Sequence, residues 1–346
     1  MKKKINISIV GGSGYTGIEL LRLLSQHPHI NIQQITSRGD KGRSVSAVYP
    51  SLRGFITQEF VNPDEADLTN SDIVFFATPN GIAMQYAQDL IKKGVRIIDL
   101  AADFRIKNTE VWEKWYGMKH ICKDLLKDAV YGLPEMNRDK IKKAQIVANP
   151  GCYPTAIQLG LLPLIKNNLI DKSNIIADAK SGISGAGKKF DTNLLMSESA
   201  ENFKAYAIQG HRHLPEIEEN LSIAAQDSKI KLTFVPHLLP MIRGIHATIY
   251  VDAITDFDIS ALYQKFYASE PFVDILSQGE CPEIKSVRSS NICRISFQKQ
   301  TNSNKIVILS VIDNLVKGAA GQAIQNMNIM MSCDETAGLK LIPLVP

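Results

Sequence analysis

Cys152 is set behind a glycine and between two prolines, in Asn149-Pro150-Gly151-Cys152-Tyr153-Pro154-Thr155. It is the residue of this chain whose surroundings suit a nucleophile. Gln145, Ile146, Val147 and Ala148 before it read as a strand, which Pro150 and Gly151 break. Ile157, Leu159, Leu161 and Leu162 after it follow a helical spacing, with Pro154 suited to the first helical position because its missing N–H would go unpaired there. The thiol then lies at a strand-to-helix junction, near open backbone N–H groups and the positive end of the helix dipole. Both favour the thiolate, which is the reactive form. The plain alternative is a buried packing cysteine, and the Pro-Gly-Cys-x-Pro setting argues against it.

A thiolate that does acyl chemistry near neutral pH needs a proton partner. Gly210-His211-Arg212-His213-Leu214-Pro215-Glu216 supplies two imidazoles, His211 and His213, at the head of a helix that continues through Ile217, Leu221, Ile223 and Ala224. Two His and one Glu suggest zinc, but residues i and i+2 do not share a helical face and the H-E-x-x-H order is absent, so no metal is expected. Arg105, in Ala101-Ala102-Asp103-Phe104-Arg105 just past a strand end, has the fork that holds a carboxylate or phosphate. An ion pair with Asp103 competes with that role. A strand over 175–179 runs into Lys180-Ser181-Gly182-Ile183-Ser184-Gly185-Ala186-Gly187-Lys188, a loop able to cradle phosphate through N–H groups and hydroxyls, though not in P-loop order. Asn314, at the end of another strand, offers the donor and acceptor that a carboxamide needs.

These residues need a scaffold, and the amino-terminal third describes one. Ile5, Ile7, Ile9 and Val10 form a strand, Gly11-Gly12-Ser13-Gly14-Tyr15-Thr16-Gly17 a turn, and Ile18, Leu20, Leu21, Leu23 and Leu24 a helix, before a second strand over 30–36. Gly12, Gly14 and Gly17 satisfy G-x-G-x-x-G between strand and helix, the context in which that weak motif marks a dinucleotide site. The second strand ends Thr36-Ser37-Arg38 where an NAD enzyme would place a carboxylate. A hydroxyl and a guanidinium suit a 2′-phosphate, which favours NADP, while Asp40 leaves NAD open. Further strands over 72–77 and 95–100 continue the pattern, with Thr78-Pro79-Asn80-Gly81 at a carboxyl end of the sheet, where such folds bind ligands. Trp112, Trp115 and Tyr116 read as core. Alternating strands over 231–236, 244–252, 293–297 and 305–312 describe a second, mostly antiparallel sheet covered by helices on one side.

Composition agrees with an ordinary globular protein: 346 residues, 45% hydrophobic and 21% charged, allow two domains with ample core. A net charge of +4, with no basic run beyond Lys2-Lys3-Lys4, argues against nucleic acid and suits anionic small substrates. Lys2-Lys3-Lys4 and the short apolar stretch after it lack a cleavage pattern, and no run of 18 apolar residues exists, so neither a signal peptide nor a membrane span is expected. Five cysteines without disulfide or C-x-x-C spacing read as reduced thiols in a cytoplasm.

Gly151-Cys152-Tyr153-Pro154-Thr155 together with the turn 11–17 resembles the N-acetyl-γ-glutamyl-phosphate reductase family, within the semialdehyde dehydrogenase superfamily. Ala102-Asp103-Phe104-Arg105, Tyr131-Gly132-Leu133-Pro134-Glu135, residues 181–187, Gly210-His211-Arg212-His213 and residues 313–323 extend the likeness over nearly the whole chain. The aspartate-semialdehyde relatives are expected to carry Asn-Cys-Thr at the nucleophile instead. The resemblance implies an α/β fold: a Rossmann-type NADP-binding domain, residues 1–148 completed by 313–346, and an α+β catalytic and dimerisation domain, 149–312. It implies reduction of N-acetyl-γ-glutamyl phosphate by NADPH to N-acetylglutamate semialdehyde, in arginine biosynthesis, through a Cys152 thioester.

By the same resemblance His211 is the acid–base residue, with His213 as alternative. Asn149, Arg105, Ser181, Arg212 and His213 face the substrate. Gly12, Ser13, Gly14, Tyr15, Thr16, Gly17, Ser37, Arg38, Thr78, Pro79, Gly81, Gly182 and Asn314 serve the cofactor, and the assembly is a homodimer or homotetramer. Two rivals remain open: a reductase for an aminoadipyl or glutamyl phosphate carried on an acidic protein, and a non-catalytic NADP sensor. The sensor would need only the glycine turn and Arg38, so intact Cys152 and His211-Arg212-His213 speak against it.

Overall fold

The structure, a computed structural model, describes residues 4–226 and 230–344; Lys2 and Lys3 of the basic start lie outside them. The chain divides into two compact units, Met1–Pro150 with Ala319–Lys340, and Gly151–Gly318 with Leu341–Pro346.

In the first unit, strands β1 (Ile5–Val10), β2 (Ile30–Thr36), β3 (Phe60–Val61), β4 (Ile73–Phe76), β5 (Arg96–Asp99), β6 (Val130–Tyr131) and β7 (Ile146–Ala148) form one sheet in the order β3-β2-β1-β4-β5-β7-β6. Every pairing is parallel. A parallel strand covered on both faces must be apolar throughout, and all four residues of β4 (Ile-Val-Phe-Phe) are buried accordingly. The chain builds outward from β1 first through β2 and then through β4, so the strand order reverses there. Such a reversal opens a crevice at the carboxyl ends, beside the glycine turn. The last helix of the unit, Gly321–Met330, is buried along its whole length. Gln322 Nε2 and Asn326 Nδ2 donate to Gly132 O at 3.1 and 2.8 Å, so the Tyr131-Gly132-Leu133-Pro134-Glu135 segment acts as its docking site. Of the aromatic stripe, Trp112 is core, fully buried with its Nε1 donating to Ala102 O at 2.7 Å; Tyr116 stacks on it half-buried, and Trp115 is half-buried.

The second unit holds β8 (Ile175–Gly182), β9 (Lys204–Ala205), β10 (Leu232–Leu239), β11 (Ile245–Asp252), β12 (Val273–Ile275), β13 (Cys293–Lys299) and β14 (Lys305–Ile312), ordered β12-β13-β14-β11-β8-β10-β9. Pairings are antiparallel except β8 with β10 and β12 with β13. Strand β8 runs three residues beyond the end expected from sequence. Its neighbours carry it on, pairing Leu239 with Gly182 and Ile245 with Ser181, so Lys180, Ser181 and Gly182 are strand, and the loop begins after them. Alternation along β11 buries Ile245, Ala247, Ile249 and Val251 and leaves His246, Thr248 and Tyr250 half exposed. The helix Cys152–Lys166 packs on β11 and β14. Its Pro163 cannot donate to Leu159 O, and the Tyr267 hydroxyl takes that carbonyl instead, as the Tyr263 hydroxyl takes Gly160 O at 2.6 Å. Among the described residues no helix is long and apolar enough to cross a membrane.

Candidate active site

In the first unit the glycine turn is shaped by backbone contact. A Cβ on Gly17 would sit 2.3 Å from Gly11 O, and one on Gly12 would sit 2.4 Å from Ile35 Cγ2. Only hydrogen fits at either place. Gly14 caps the helix Tyr15–Leu24, no side chain bonds the helix start, and space beside its α-carbon is open. First-turn N–H groups at such a start are an anion site. Tyr15 is exposed and Thr16 half-buried on that turn. Ser13 Oγ and Ser37 Oγ lie 2.8 Å apart, and Ser37 Oγ donates to Asp40 Oδ2 at 3.3 Å. Arg38 is exposed, pairing through both terminal nitrogens with Asp64 at 3.0 Å, while Arg43 pairs with Asp40 at 2.7 Å. Two serines and two guanidiniums at the end of β2 match a 2′-phosphate. Thr78 Oγ1 is buried with no protein partner, an orphan hydroxyl on the turn after β4, and Pro79 is exposed. A glycine turn without a side-chain cap bond, an orphan hydroxyl and guanidiniums after β2 together fit NADP.

Beyond β5 the polar residues turn inward. Asp99 accepts from Ala101 N (3.0 Å) and Asp103 N (3.1 Å); Asp103 accepts from Gly81 N (2.7 Å) and Met84 N (3.2 Å). Both carboxyls are fully buried. Burial, and then the charge of Asp103, push Asp99 up to about 8, and burial raises Asp103 as well. Arg105 is buried beside the pair, lowering both, with Nη2 on Leu100 O at 2.7 Å. Asn149 is buried too: its Nδ2 donates to Ala319 O, and its Oδ1 accepts from Asn326 Nδ2, each at 3.1 Å.

In the second unit the helix begins at Cys152 itself, two residues before the expected Pro154. Pro154 falls within the first turn, where N–H groups have no helical acceptor, so its missing donor costs nothing. Gly151 caps the helix without a side-chain bond to the first turn, and its own N–H donates to Glu216 Oε1 at 2.8 Å. Glu216, fully buried on the helix His213–Ala225, thereby ties the nucleophile turn to the histidine segment. Gly318 closes the other side: a Cβ there would stand 2.7 Å from Cys152 Cβ.

The Cys152 neighbour Tyr153 gathers the imidazoles. Its ring centroid lies 5.8 Å from that of His211 and 6.0 Å from that of His213, and the two imidazole centroids are 4.8 Å apart. Tyr153 O–H donates to His237 O at 3.1 Å, with Tyr206 O–H donating to it at 3.4 Å; burial raises both phenols. His211 Nδ1 accepts from His213 N at 3.1 Å, so its neutral ring carries the proton on Nε2. Burial first, and the Arg212 guanidinium second, push His211 down to about 4. Arg212 itself is exposed. Ser181 is buried, donating to Gly182 O at 2.9 Å. Asn314 spends its carboxamide inside the protein: Oδ1 accepts from Gly244 N at 2.7 Å and Nδ2 donates to Ser184 Oγ at 3.0 Å. Among the described residues no three His, Cys, Asp or Glu side chains converge as a metal set.

Sequence reasoning passed over Glu216 and Gly318 as parts of the nucleophile's setting. Glu216 shares its helical face with Ile217 and Leu221, and a carboxylate on an apolar face was the available signal. For Gly318 the available signal was the small residues of Gly318-Ala319-Ala320-Gly321, which permit close packing but do not name Cys152 as its object.

Residues 6–144 match the family model for the semialdehyde dehydrogenase NAD binding domain, and residues 152–314 that for the semialdehyde dehydrogenase dimerisation domain. The N-acetyl-γ-glutamyl-phosphate reductase of Nitrosospira multiformis is 58% identical over 342 residues, covering 99% of this chain and all of the relative. That of Laribacter hongkongensis is 57% identical with the same coverage. The chain belongs to the N-acetyl-γ-glutamyl-phosphate reductase family. Solved semialdehyde dehydrogenases share the fold of this reductase family member at low identity. Aspartate semialdehyde dehydrogenase II from Vibrio cholerae, complexed with ASA, superposes with a TM-score of 0.75 at 17% identity, covering 96% of this chain and 99% of that one. Aspartate semialdehyde dehydrogenase with NADP from Candida albicans gives 0.71 at 14%, covering 95% and 99%.

Proposed function

We propose that this chain reduces N-acetyl-γ-glutamyl phosphate to N-acetylglutamate 5-semialdehyde with NADPH, a step of arginine biosynthesis. The observation that carries the reading is a cysteine at the first position of a helix with no side-chain cap, in a chain 58% identical end to end to a reductase of that name. Cys152 thiolate adds to the acyl carbon, the bond from that carbon to the phosphate oxygen breaks, and phosphate leaves with the electron pair, giving a thioester. NADPH, held by residues 12–17 with Ser37, Arg38, Thr78, Pro79 and Gly81, supplies the hydride that takes the acyl carbon to the aldehyde level. As the carbon–sulfur bond of the resulting thiohemiacetal then breaks, its hydroxyl proton returns to His211, aldehyde is released and the thiolate is restored.

His211 faces this chemistry as a neutral ring with its proton on Nε2, from which it hydrogen-bonds the acyl oxygen as negative charge gathers there. An anionic acyl phosphate beside the ring favours its charged form, which then donates the proton to the same oxygen. Of the two arginines, exposed Arg212 is our choice for a substrate anion. Arg105, beside Asp99 and Asp103, supports the turn it stands on. Asn149 and Asn314, each bonded to protein partners through both Oδ1 and Nδ2, hold their turns. Ser181 and Gly182 line the thiol side.

A second copy of this chain pairs through the half-exposed face of the second sheet, where Ile176, Tyr250, Val307 and Leu309 stand, giving a dimer or tetramer. With five cysteines that show no disulfide-like or C-x-x-C spacing, the enzyme belongs to a reducing cytoplasm.

The test runs the reaction backwards: phosphate-dependent reduction of NADP with N-acetylglutamate semialdehyde. Wild type produces NADPH, and Cys152→Ser slows turnover by about three orders of magnitude or more while still binding NADP. A folded, NADP-binding wild type that makes no NADPH sinks the assignment and moves attention to a carrier-linked acyl phosphate.

A further inference from the structure

We propose that Asp103 is a positioning residue for the nicotinamide half of the cofactor, acting through the turn 78–81. The inference rests on the NADP reading above and assigns that site a part the motif does not name. Strand β1 lies between β2 and β4. The β2 end, with Ser37 and Arg38, takes the adenosine side, which leaves the β4 end, the turn 78–81, for the other half of the dinucleotide. That turn touches the glycine turn closely: a Cβ on Gly11 would stand 2.5 Å from Ala77 O.

The turn is held from behind by the segment after β5. Asp103 Oδ1 accepts from Gly81 N at 2.7 Å and its Oδ2 from Met84 N at 3.2 Å. Its carboxyl thus spans the turn and the start of the helix Ala83–Lys92. Asn80 returns the contact by accepting from Ala102 N at 3.1 Å. His120 Nε2 and Asp103 O, 2.7 Å apart, hold the aspartate backbone, and Asp99 accepts from its N–H. Gly81 has φ +88°, a conformation that other residues adopt only under strain, so the turn needs external support to stay in one shape. Thr78 Oγ1, the orphan hydroxyl, rides on this turn. Fixing the turn fixes the direction in which that hydroxyl is offered.

The test uses titration calorimetry on the full chain with two ligands: NADP, and adenosine 2′,5′-bisphosphate, which lacks the nicotinamide half. Asp103→Asn keeps the shape but puts an amide N–H against one of the two backbone donors. Its dissociation constant for NADP rises about tenfold, the size of one lost charge-assisted hydrogen bond, while that for the bisphosphate stays within about twofold. Asn80→Ala, at a half-exposed position, shows the same selective loss to a smaller degree and decides the matter if Asp103→Asn does not fold. Ile141→Val, buried elsewhere in the first unit, controls for lowered stability by leaving both affinities alone. Equal weakening of both ligands in Asp103→Asn and Asn80→Ala, or no weakening of NADP, overturns the proposal. A wild type that binds neither ligand overturns the cofactor reading and this inference with it.

Discussion

Two strand-to-helix turns in this molecule start from the same local device and end with different uses. After β1, Gly14 caps a helix without a side-chain cap bond; after β7, Gly151 does the same. In the first, glycines keep side chains away: Gly17 and Gly12 leave room for no Cβ, and the space beside the Gly14 α-carbon is open. In the second, a thiol occupies the first helical position, a buried carboxylate holds the cap N–H, and Gly318 packs on the thiol-bearing residue. On the function proposed above, one turn is a cradle for an anion brought by a ligand. The other carries its own nucleophile, which reacts as the thiolate, and is braced from both sides. A helix N-terminus therefore sets the sign of the charge it welcomes, and the packing around it decides whether that charge arrives or is built in.

The largest test of this contrast is Gly17→Ala. Its methyl group meets backbone, which cannot step aside, so stability falls by about 1–3 kcal/mol or more and NADP binding is lost, read by thermal unfolding and calorimetry. Retained binding would show that the turn is not a cradle. Gly318→Ala makes the matching intrusion at the other turn. Turnover drops by about ten- to a hundredfold as Cys152 is displaced, and NADP affinity is unchanged; unchanged turnover would mean that the close packing does no positioning. Glu216→Gln keeps an acceptor for Gly151 N but loses its charge, at a cost of about 1–3 kcal/mol in chemical denaturation. Wild-type stability in that variant would remove the brace from the account.

The effect that is smallest at neutral pH, and grows only in acid, concerns His211. Its folded value of about 4 lies below the ordinary 6.5, so between those limits the folded chain binds fewer protons than the unfolded one. That contribution to stability is complete above about pH 6.5 and is lost as pH falls towards 4, at up to about 1.4 kcal/mol per pH unit. His27 and His246, lowered chiefly by burial, add in the same direction, so the comparison is His211→Gln against wild type. A shallower acid loss in the variant is expected; parallel curves would contradict the burial of that ring.

Much of the fold was legible in local pattern. The helix from His213 and strands β10, β11, β13 and β14 fall within a few residues of where periodicity places them. Strand β8 outran its own sequence signal because β10 and β11 supply ladder partners up to Gly182, and partners on neighbouring strands are invisible to a local window. The same holds for the protein groups that Arg105, Asn149 and Asn314 bond, which no local pattern names.

By itself the chain determined which chemistry is available. A thiol at a helix start, a glycine turn between strand and helix, and Ser37-Arg38 at the second strand end are properties of residue order, since each acts through backbone within a few positions. Tertiary structure decided which polar groups are consumed in holding others. Asp103 on Gly81, Glu216 on Gly151 and Gly318 against Cys152 join residues separated by 22, 65 and about 170 positions. A buried hydrogen bond or a close packing contact is fixed by burial and distance in space, and neither follows from neighbours in the chain.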